Sequence, residues 1–245
     1  MATPNPLDRP AFYALRPGGW RDLLTLLHPP YTAWHLSYVA FGAVAAPELH
    51  GDRLAATLLA FFLAVGICAH AFDELSGRPL RTQLSDGVLF VMGAVALAGA
   101  VAIGIVGAVT VSLGLLPFVA VGAFIVVAYN FELFGGRFHS DFWFAAAWGA
   151  FPALTGYWIN ALELRLQGVL VAAACFALSL AQRRLSTRVR ELRRRTLSVS
   201  GEQQLTDGTT IELDAARLAA PFDDALRACA LALTLLATGL VIARL

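Results

Sequence analysis

The chain contains no lysine, and arginine supplies all 18 of its basic residues. This absence excludes a lysine Schiff base and a P-loop phosphate site, because both need the lysine side chain. Charge of either sign is also scarce, at 14% of 245 residues, whereas 58% of the residues are hydrophobic. A soluble domain carries roughly 25% charged residues, so the composition indicates a membrane protein.

Cysteine is rare as well. Cys68, Cys175 and Cys229 all lie in apolar stretches and show no CxxC spacing. We interpret them as small packing or lipid-facing residues, not as disulfide partners or metal ligands. The N-terminus lacks the apolar core of a cleavable signal peptide, so the first apolar span is expected to direct membrane insertion.

Seven segments are apolar over roughly the 20 residues that a transmembrane helix needs. The predicted spans are 31–49, 54–72, 86–106, 109–129, 142–162, 166–183 and 222–243. With the N-terminus inside, fifteen arginines face inward, and only Arg53, Arg165 and Arg244 face outward. The positive-inside rule therefore predicts a cytoplasmic N-terminus and an external C-terminus, in a prokaryotic inner or plasma membrane.

The spans divide the chain into four parts. These are a cytoplasmic N-terminal segment (1–30), transmembrane helices one to six (31–183), a basic cytoplasmic loop (184–221) and a last transmembrane helix (222–245). In the basic loop we expect a helical extension, a hairpin around Asp207-Gly208 and a helix cap at Asp214. Its arginines are suited to anionic lipid headgroups, and the loop is a candidate docking element for a partner protein. No nucleic-acid partner is expected.

The first polar cluster closes the second span, where His70, Asp73 and Glu74 precede Gly77-Arg78. Positions i, i+3 and i+4 share one helical face, so these three side chains are expected to point together at the cytoplasmic side. Carboxylates gathered there suit Mg²⁺, and the histidine leaves another divalent metal open. The alternative is a helix end that simply meets water.

Two further clusters are predicted on the same side. The second follows span four and comprises Tyr129, Asn130, Glu132, Arg137, His139 and Asp141. Arg137 and His139 could contact a phosphate, or His139 and Asp141 could complete a metal site; an ordinary polar loop is the alternative. The third cluster is an arginine run, in which Arg184, Arg188 and Arg195 share roughly one helical face and could reach a diphosphate. The run comprises Arg183, Arg184, Arg188, Arg190, Arg193, Arg194 and Arg195. His35, within span one, is interpreted as a core histidine.

Three segments carry a resemblance to a known family. They are LLTLLHPPYTAWHLSYVAFGAVAA, HAFDELSGRPL and AYNFELFGGRFHSDFWFAAAWGAFPALTGYW. Over residues 20–185 the chain resembles the UbiA superfamily of intramembrane prenyltransferases. The second segment stands where that family has an Asp-rich motif leading into Arg-Pro. The family's second Asp-rich motif is replaced by QRRLSTRVRELRRR.

The resemblance implies an all-α, UbiA-like bundle of transmembrane helices, for which the apolar segments predict seven spans where the family usually has about nine. It implies an enzyme that uses a prenyl diphosphate, either for transfer to a lipophilic acceptor or for terpene cyclisation, with Mg²⁺ as cofactor. The implied catalytic residues are His70, Asp73 and Glu74. The implied substrate-binding residues are Arg78, Tyr129, Asn130, Arg137, Arg184 and Arg188. The candidate metal ligands are His70, Asp73, Glu74, Glu132, His139 and Asp141.

Two other functions stay open at this point. The first is a non-catalytic membrane protein that binds an isoprenoid or partners another enzyme, which the loss of one Asp-rich motif favours. The second is a metalloenzyme on the same scaffold, because two histidines with several carboxylates are the ligand set of a transition metal.

Overall fold

A computed structural model describes residues 9–245 as a bundle of helices with one small hairpin. The first eight residues of the predicted segment 1–30 lie outside the described part. The helices, with our labels, are α1 (Trp20–Leu26), α2 (Pro29–Ala45), α3 (Gly51–Leu75), α4 (Asp86–Thr110), α5 (Leu113–Asn130), α6 (141–161), α7 (Leu166–Arg194) and α8 (Ala215–Ile242). The strands are β1 (Gly201–Gln204) and β2 (Thr210–Leu213).

Five of the described helices are long and apolar enough to cross a bilayer, namely α3, α4, α5, α7 and α8. They coincide with the second, third, fourth, sixth and seventh predicted spans. Large apolar side chains such as Val91, Val109 and Leu235 stand exposed on their outer faces. Such helices and surfaces are those of an integral membrane protein, because lipid tails solvate exposed apolar side chains, which water solvates poorly.

The first and fifth predicted spans are also helical, as α2 and α6. Helix α2 has 17 residues, which extend about 25 Å at 1.5 Å per residue. The sequence of α6 includes Trp148, Tyr157, Trp158 and Asn160, and no 18-residue stretch of it is as apolar as those in the five long helices. Both helices lie inside the bundle, where contact with protein replaces contact with lipid.

Glycines let α2 and α6 pack closely. A Cβ atom on Gly42 would lie 1.9 Å from the carbonyl oxygen of Ala153, and one on Gly156 would lie 2.2 Å from that of Val39. In membranes, small residues drive helix association, because close backbone approach replaces the missing hydrophobic force. The pair therefore forms the tightly packed centre of the fold.

Two helices contain π-helical segments, Phe62–Ala69 within α3 and Ala146–Ala150 within α6. Single π turns inside α-helices are rare and occur frequently at functional sites. Both segments contribute residues to the wall of one cavity.

The basic loop folds largely as its sequence predicts. Helix α7 continues to Arg194, and the hairpin pairs Gly201 with Leu213. The turn is closed where Thr209 donates its backbone N–H to Asp207, a bond that lowers the pKa of that carboxyl. Asp214 caps α8 by accepting the N–H of Arg217 at 2.7 Å.

Candidate functional site

A polar cavity of about 340 Å³ opens at one end of the bundle. Its wall is formed by the start of α2, the end of α3, the end of α5, the middle of α6 and the last turns of α7. The segment that precedes α1 closes the wall through Pro10, Phe12 and Tyr13. Residues far apart in sequence thus meet in one place.

Helix α7 presents a basic face to this cavity through Arg183, Arg190 and Arg194. These positions are seven and four residues apart, so they lie on one side of the helix. The Arg183 guanidinium bonds Asp141 at 2.9 Å and lies 5.2 Å from the centre of the Phe144 ring. Neither Arg190 nor Arg194 forms an ion pair with a carboxylate among the described residues. The cavity therefore carries positive charge that is available to an anion.

Three histidines in the cavity wall bond a backbone carbonyl through Nδ1. His35 bonds the oxygen of Trp148 at 2.8 Å, His70 that of Gly66 at 3.1 Å and His139 that of Tyr129 at 3.1 Å. A carbonyl only accepts, so each Nδ1 carries a proton, and in a neutral ring Nε2 is then the acceptor. Trp148 and Gly66 belong to the two π segments, which therefore orient two of the three rings.

His28, before the first turn of α2, stacks on His70 with ring centres 3.9 Å apart. Burial lowers the pKa of His28 well below its usual range, and the neighbouring His70 lowers it further. The His28 ring is therefore neutral. Tyr13 packs against His28 at 5.2 Å, and burial raises the pKa of that phenol well above its usual value. This end of the cavity is thus lined by neutral polar rings.

Several polar atoms at the cavity wall have no hydrogen-bond partner among the described residues. They are Nε2 of His28, the Tyr129 hydroxyl and Oε1 of Gln182. The Gln182 and Tyr129 side chains are 2% and 5% exposed, so solvent outside the protein does not satisfy them. Buried polar atoms are almost always paired, and their convergence here is what a ligand site requires.

A second, apolar cavity of about 430 Å³ lies between α3, α4, α5 and α6. Phe61, Phe118 and Phe151 contribute aromatic rings to it. Val65 and Trp148 line both cavities, and each is about 95% buried. We call the wall that the two cavities share the junction, defined by Val65 and Trp148. Both junction residues sit in π segments.

Five of the predicted site residues line the polar cavity. They are His70, Asp73, Tyr129, Asn130 and His139. They come from two predicted clusters more than fifty residues apart, which the ends of α3 and α5 bring together.

Glu74 departs from its expected position. Its side chain is fully buried and accepts bonds from the N–H groups of Leu80 and Thr82 at 2.8 Å and from the Thr82 hydroxyl at 2.9 Å. The expectation that it points with His70 and Asp73 is wrong, because the loop after α3 folds back and binds its carboxylate.

The remaining predicted residues lie outside the polar cavity, held by other partners or exposed. Arg78 pairs with Asp86, and Arg188 pairs with Glu191 at 2.8 Å. Arg137 and Arg184 are exposed. Glu132 is 3.9 Å from His139, and Asp141 is bound to Arg183. The face of α7 that lines the cavity therefore differs from the predicted one. It carries Arg183, Arg190 and Arg194 instead of Arg184 and Arg188.

The candidate metal ligands do not assemble. Across residues 9–245, no three histidine, cysteine, aspartate or glutamate side chains group closely enough to hold one ion. The stacked rings of His28 and His70 are only 24° from parallel, so their in-plane lone pairs do not converge. Of the predicted carboxylate ligands, Asp73 alone lines the cavity.

Sequence reasoning missed several wall residues or gave them another role. They are Tyr13, His28, Tyr31, His35, Gln182, Arg183, Arg190 and Arg194. One signal was present, since His28 and His35 are seven residues apart and flank the start of a helix. The contribution of Tyr13 had no local signal, because it depends on how the chain before α1 returns to the bundle.

Comparison with known proteins adds no relative. No family model, no curated protein and no solved structure matches the chain.

Proposed function

We propose that this chain is a UbiA-like membrane enzyme, with seven crossings, that binds and ionises a prenyl diphosphate. The observation that carries the proposal is the junction, where a basic polar cavity and an apolar cavity share Val65 and Trp148 in their walls. A molecule that fills both has an anionic head and a hydrocarbon chain. A prenyl diphosphate has both parts.

The head would lie against Arg190 and Arg194, with Arg183 beside them. Guanidinium groups bind phosphate oxygens through paired N–H donors, so two arginines without carboxylate partners suit a diphosphate. Their charge also stabilises the diphosphate as it leaves with the bonding electrons, which is the main demand of ionisation. The Tyr129 hydroxyl, which has no partner among the described residues, is one further donor for the head.

The chain would extend through the junction into the apolar cavity. That cavity is lined mainly by aliphatic and aromatic side chains, and Asp52 and Arg53 at the start of α3 also belong to its wall. An allylic cation formed at the junction would be flanked by Trp148 and by Tyr129, whose ring centres are 5.6 Å apart. Aromatic faces attract cations, most strongly when both are desolvated. The product would be a prenylated lipophilic acceptor or a cyclised terpene.

Magnesium stays a prediction. Asp73 is the residue best placed to ligate it, and Mg²⁺ accepts one or two carboxylates when phosphate oxygens supply other positions. No step of the proposed reaction depends on a metal.

The test is diphosphate release by detergent-purified protein from farnesyl and geranylgeranyl diphosphates, with Mg²⁺ and with EDTA. We expect release by the wild type and at least about a tenfold loss in Arg190→Gln, since one charge-assisted contact contributes roughly 1.5–3 kcal/mol. Arg195→Gln, an exposed arginine of the same run, is the matched control and should keep full activity. Equal activity of the two variants would contradict the assignment.

A second candidate is binding without chemistry. The presence of one predicted carboxylate ligand in the cavity, rather than a cluster, favours it. Isothermal titration with the non-ionisable farnesyl thiolodiphosphate separates the two. Binding that Arg190→Gln weakens, together with no diphosphate release by the wild type, would select this candidate.

A further inference from the structure

The junction is built from two π segments, and each also fixes a histidine. In α3 the π segment supplies Val65 to the junction and the carbonyl of Gly66 to His70. In α6 the π segment supplies Trp148 to the junction, and the carbonyl of the same residue binds His35. The rings of His35 and His70 therefore line the polar cavity and are anchored to the backbone of the two segments that supply the junction.

The free nitrogen of each ring is a proton acceptor. Nδ1 donates to a carbonyl, so Nε2 holds a lone pair, and Nε2 of neither ring bonds another described residue. Both rings line the cavity wall. A neutral imidazole that is anchored through Nδ1 in a cavity wall is arranged to accept a proton at Nε2.

We propose that one of the two histidines, His35 or His70, accepts the proton whose loss ends the reaction. The product is then a hydrocarbon with a new double bond. The proposal rests on the proposed function and deepens it. The bond between C1 and the diphosphate oxygen breaks, and both electrons leave with the diphosphate. A carbon next to the cation then loses a proton to Nε2, and the C–H electrons form the C=C bond.

The surroundings favour this outcome over capture by water. Val65 and Trp148 are buried, and the apolar cavity lies on one side of them. Few water molecules therefore reach a cation at the junction from that side. A proton beside a carbocation is highly acidic, so a weakly basic neutral imidazole is sufficient to remove it. Asp73 lies one turn further along α3 than His70, towards the end of the helix and away from the π segment.

The test substitutes asparagine for each histidine, because the asparagine amide nitrogen can replace Nδ1 as donor while nothing replaces Nε2. Purified His35→Asn, His70→Asn and the double variant are incubated with farnesyl diphosphate. Diphosphate release and the extracted hydrocarbon and farnesol are quantified. His50→Asn, at the opposite end of the bundle, is the matched control.

We expect hydrocarbon as the main wild-type product. In the double variant, the ratio of hydrocarbon to farnesol among the products of the diphosphate that is released should fall by about a hundredfold, the usual size of a general-base effect. His50→Asn should change neither diphosphate release nor this ratio. An unchanged ratio in the double variant, or farnesol alone from the wild type, would overturn the histidine assignment.

Absence of diphosphate release from the wild type would instead refute the proposed function, so the two failures are distinguishable. If the asparagine variants do not fold, ¹⁵N-histidine NMR of the wild type decides. Nδ1–H with unprotonated Nε2 at His35 and His70 is required. Protonation of Nε2 at both would overturn the proposal.

Discussion

At the scale of single residues, Asp73 and Glu74 are neighbours with different surroundings. Asp73 lines the polar cavity, whereas the Glu74 carboxylate is enclosed by the backbone of the loop after α3. A buried carboxylate that accepts three hydrogen bonds holds that loop in place. Its contribution is therefore to stability, and that of Asp73 to the site.

Glu74→Gln should destabilise the protein by about 1–3 kcal/mol, because an amide presents its NH₂ group to a backbone N–H and leaves buried donors unpaired. The midpoint of thermal unfolding in detergent measures this. Glu132→Gln, at an exposed carboxylate, is the control and should unfold at the wild-type temperature. Unchanged unfolding of Glu74→Gln, accompanied by lost activity, would return Glu74 to the role its sequence motif predicts.

Asp73 and Glu74 also show why side-chain direction could not be predicted from the sequence. Helical spacing places His70, Asp73 and Glu74 on one side, and that rule takes no account of the loop at 78–82. The loop residues Arg78 and Arg81 adopt left-handed backbone angles, with φ of 52° and 57°, and the loop turns two N–H groups towards Glu74. Charge pattern predicted which end of the bundle is polar, whereas side-chain direction depended on tertiary contacts.

At the scale of elements, the length of the apolar segments predicted the long helices but not their π segments. A π turn adds one residue and rotates the remainder of its helix, so it changes which side chains face the cavity. The arginine face of α7 could not be derived from spacing alone, because several registers of the run place three arginines together. Contacts with α6, including the bond between Arg183 and Asp141, select one of these registers.

The packing of α2 against α6 is where one added methyl group should matter most. Gly156→Ala places a Cβ 2.2 Å from the Val39 carbonyl oxygen, so the helices must separate. Overpacking of this kind costs about 1–3 kcal/mol or more, and we expect a lower unfolding temperature and a lower yield of folded protein. Gly239→Ala, where a Cβ meets nothing within 4 Å, is the control and should be at least as stable as the wild type. Equal stability of both variants would show that these helices do not approach so closely in the membrane.

At the scale of the whole molecule, the two ends of the bundle differ in chemistry. The stack of His28 on His70 places the start of α2 beside the end of α3. At the other end, Arg244 bonds the carbonyl of Ala46 at 2.9 Å, and Asn160 accepts the N–H of His50 at 2.8 Å. Helix α2 therefore runs from the polar cavity to the opposite end of the bundle, as a membrane-crossing helix would.

The number of membrane crossings determines whether residues 48 and 202 lie on the same side of the membrane or on opposite sides. If α2 and α6 cross together with the five longer helices, these positions lie on opposite sides of the membrane; if only the five cross, they lie on the same side. In a Cys229→Ser background, Glu48→Cys should react with a membrane-impermeant maleimide in intact cells. Glu202→Cys, in the hairpin, should react only after permeabilisation, because the positive-inside rule predicts that the arginine-rich end faces the cytoplasm. Equal labelling of both in intact cells would reduce the count to five, and reversed labelling would invert the orientation and place the polar cavity outside the cell.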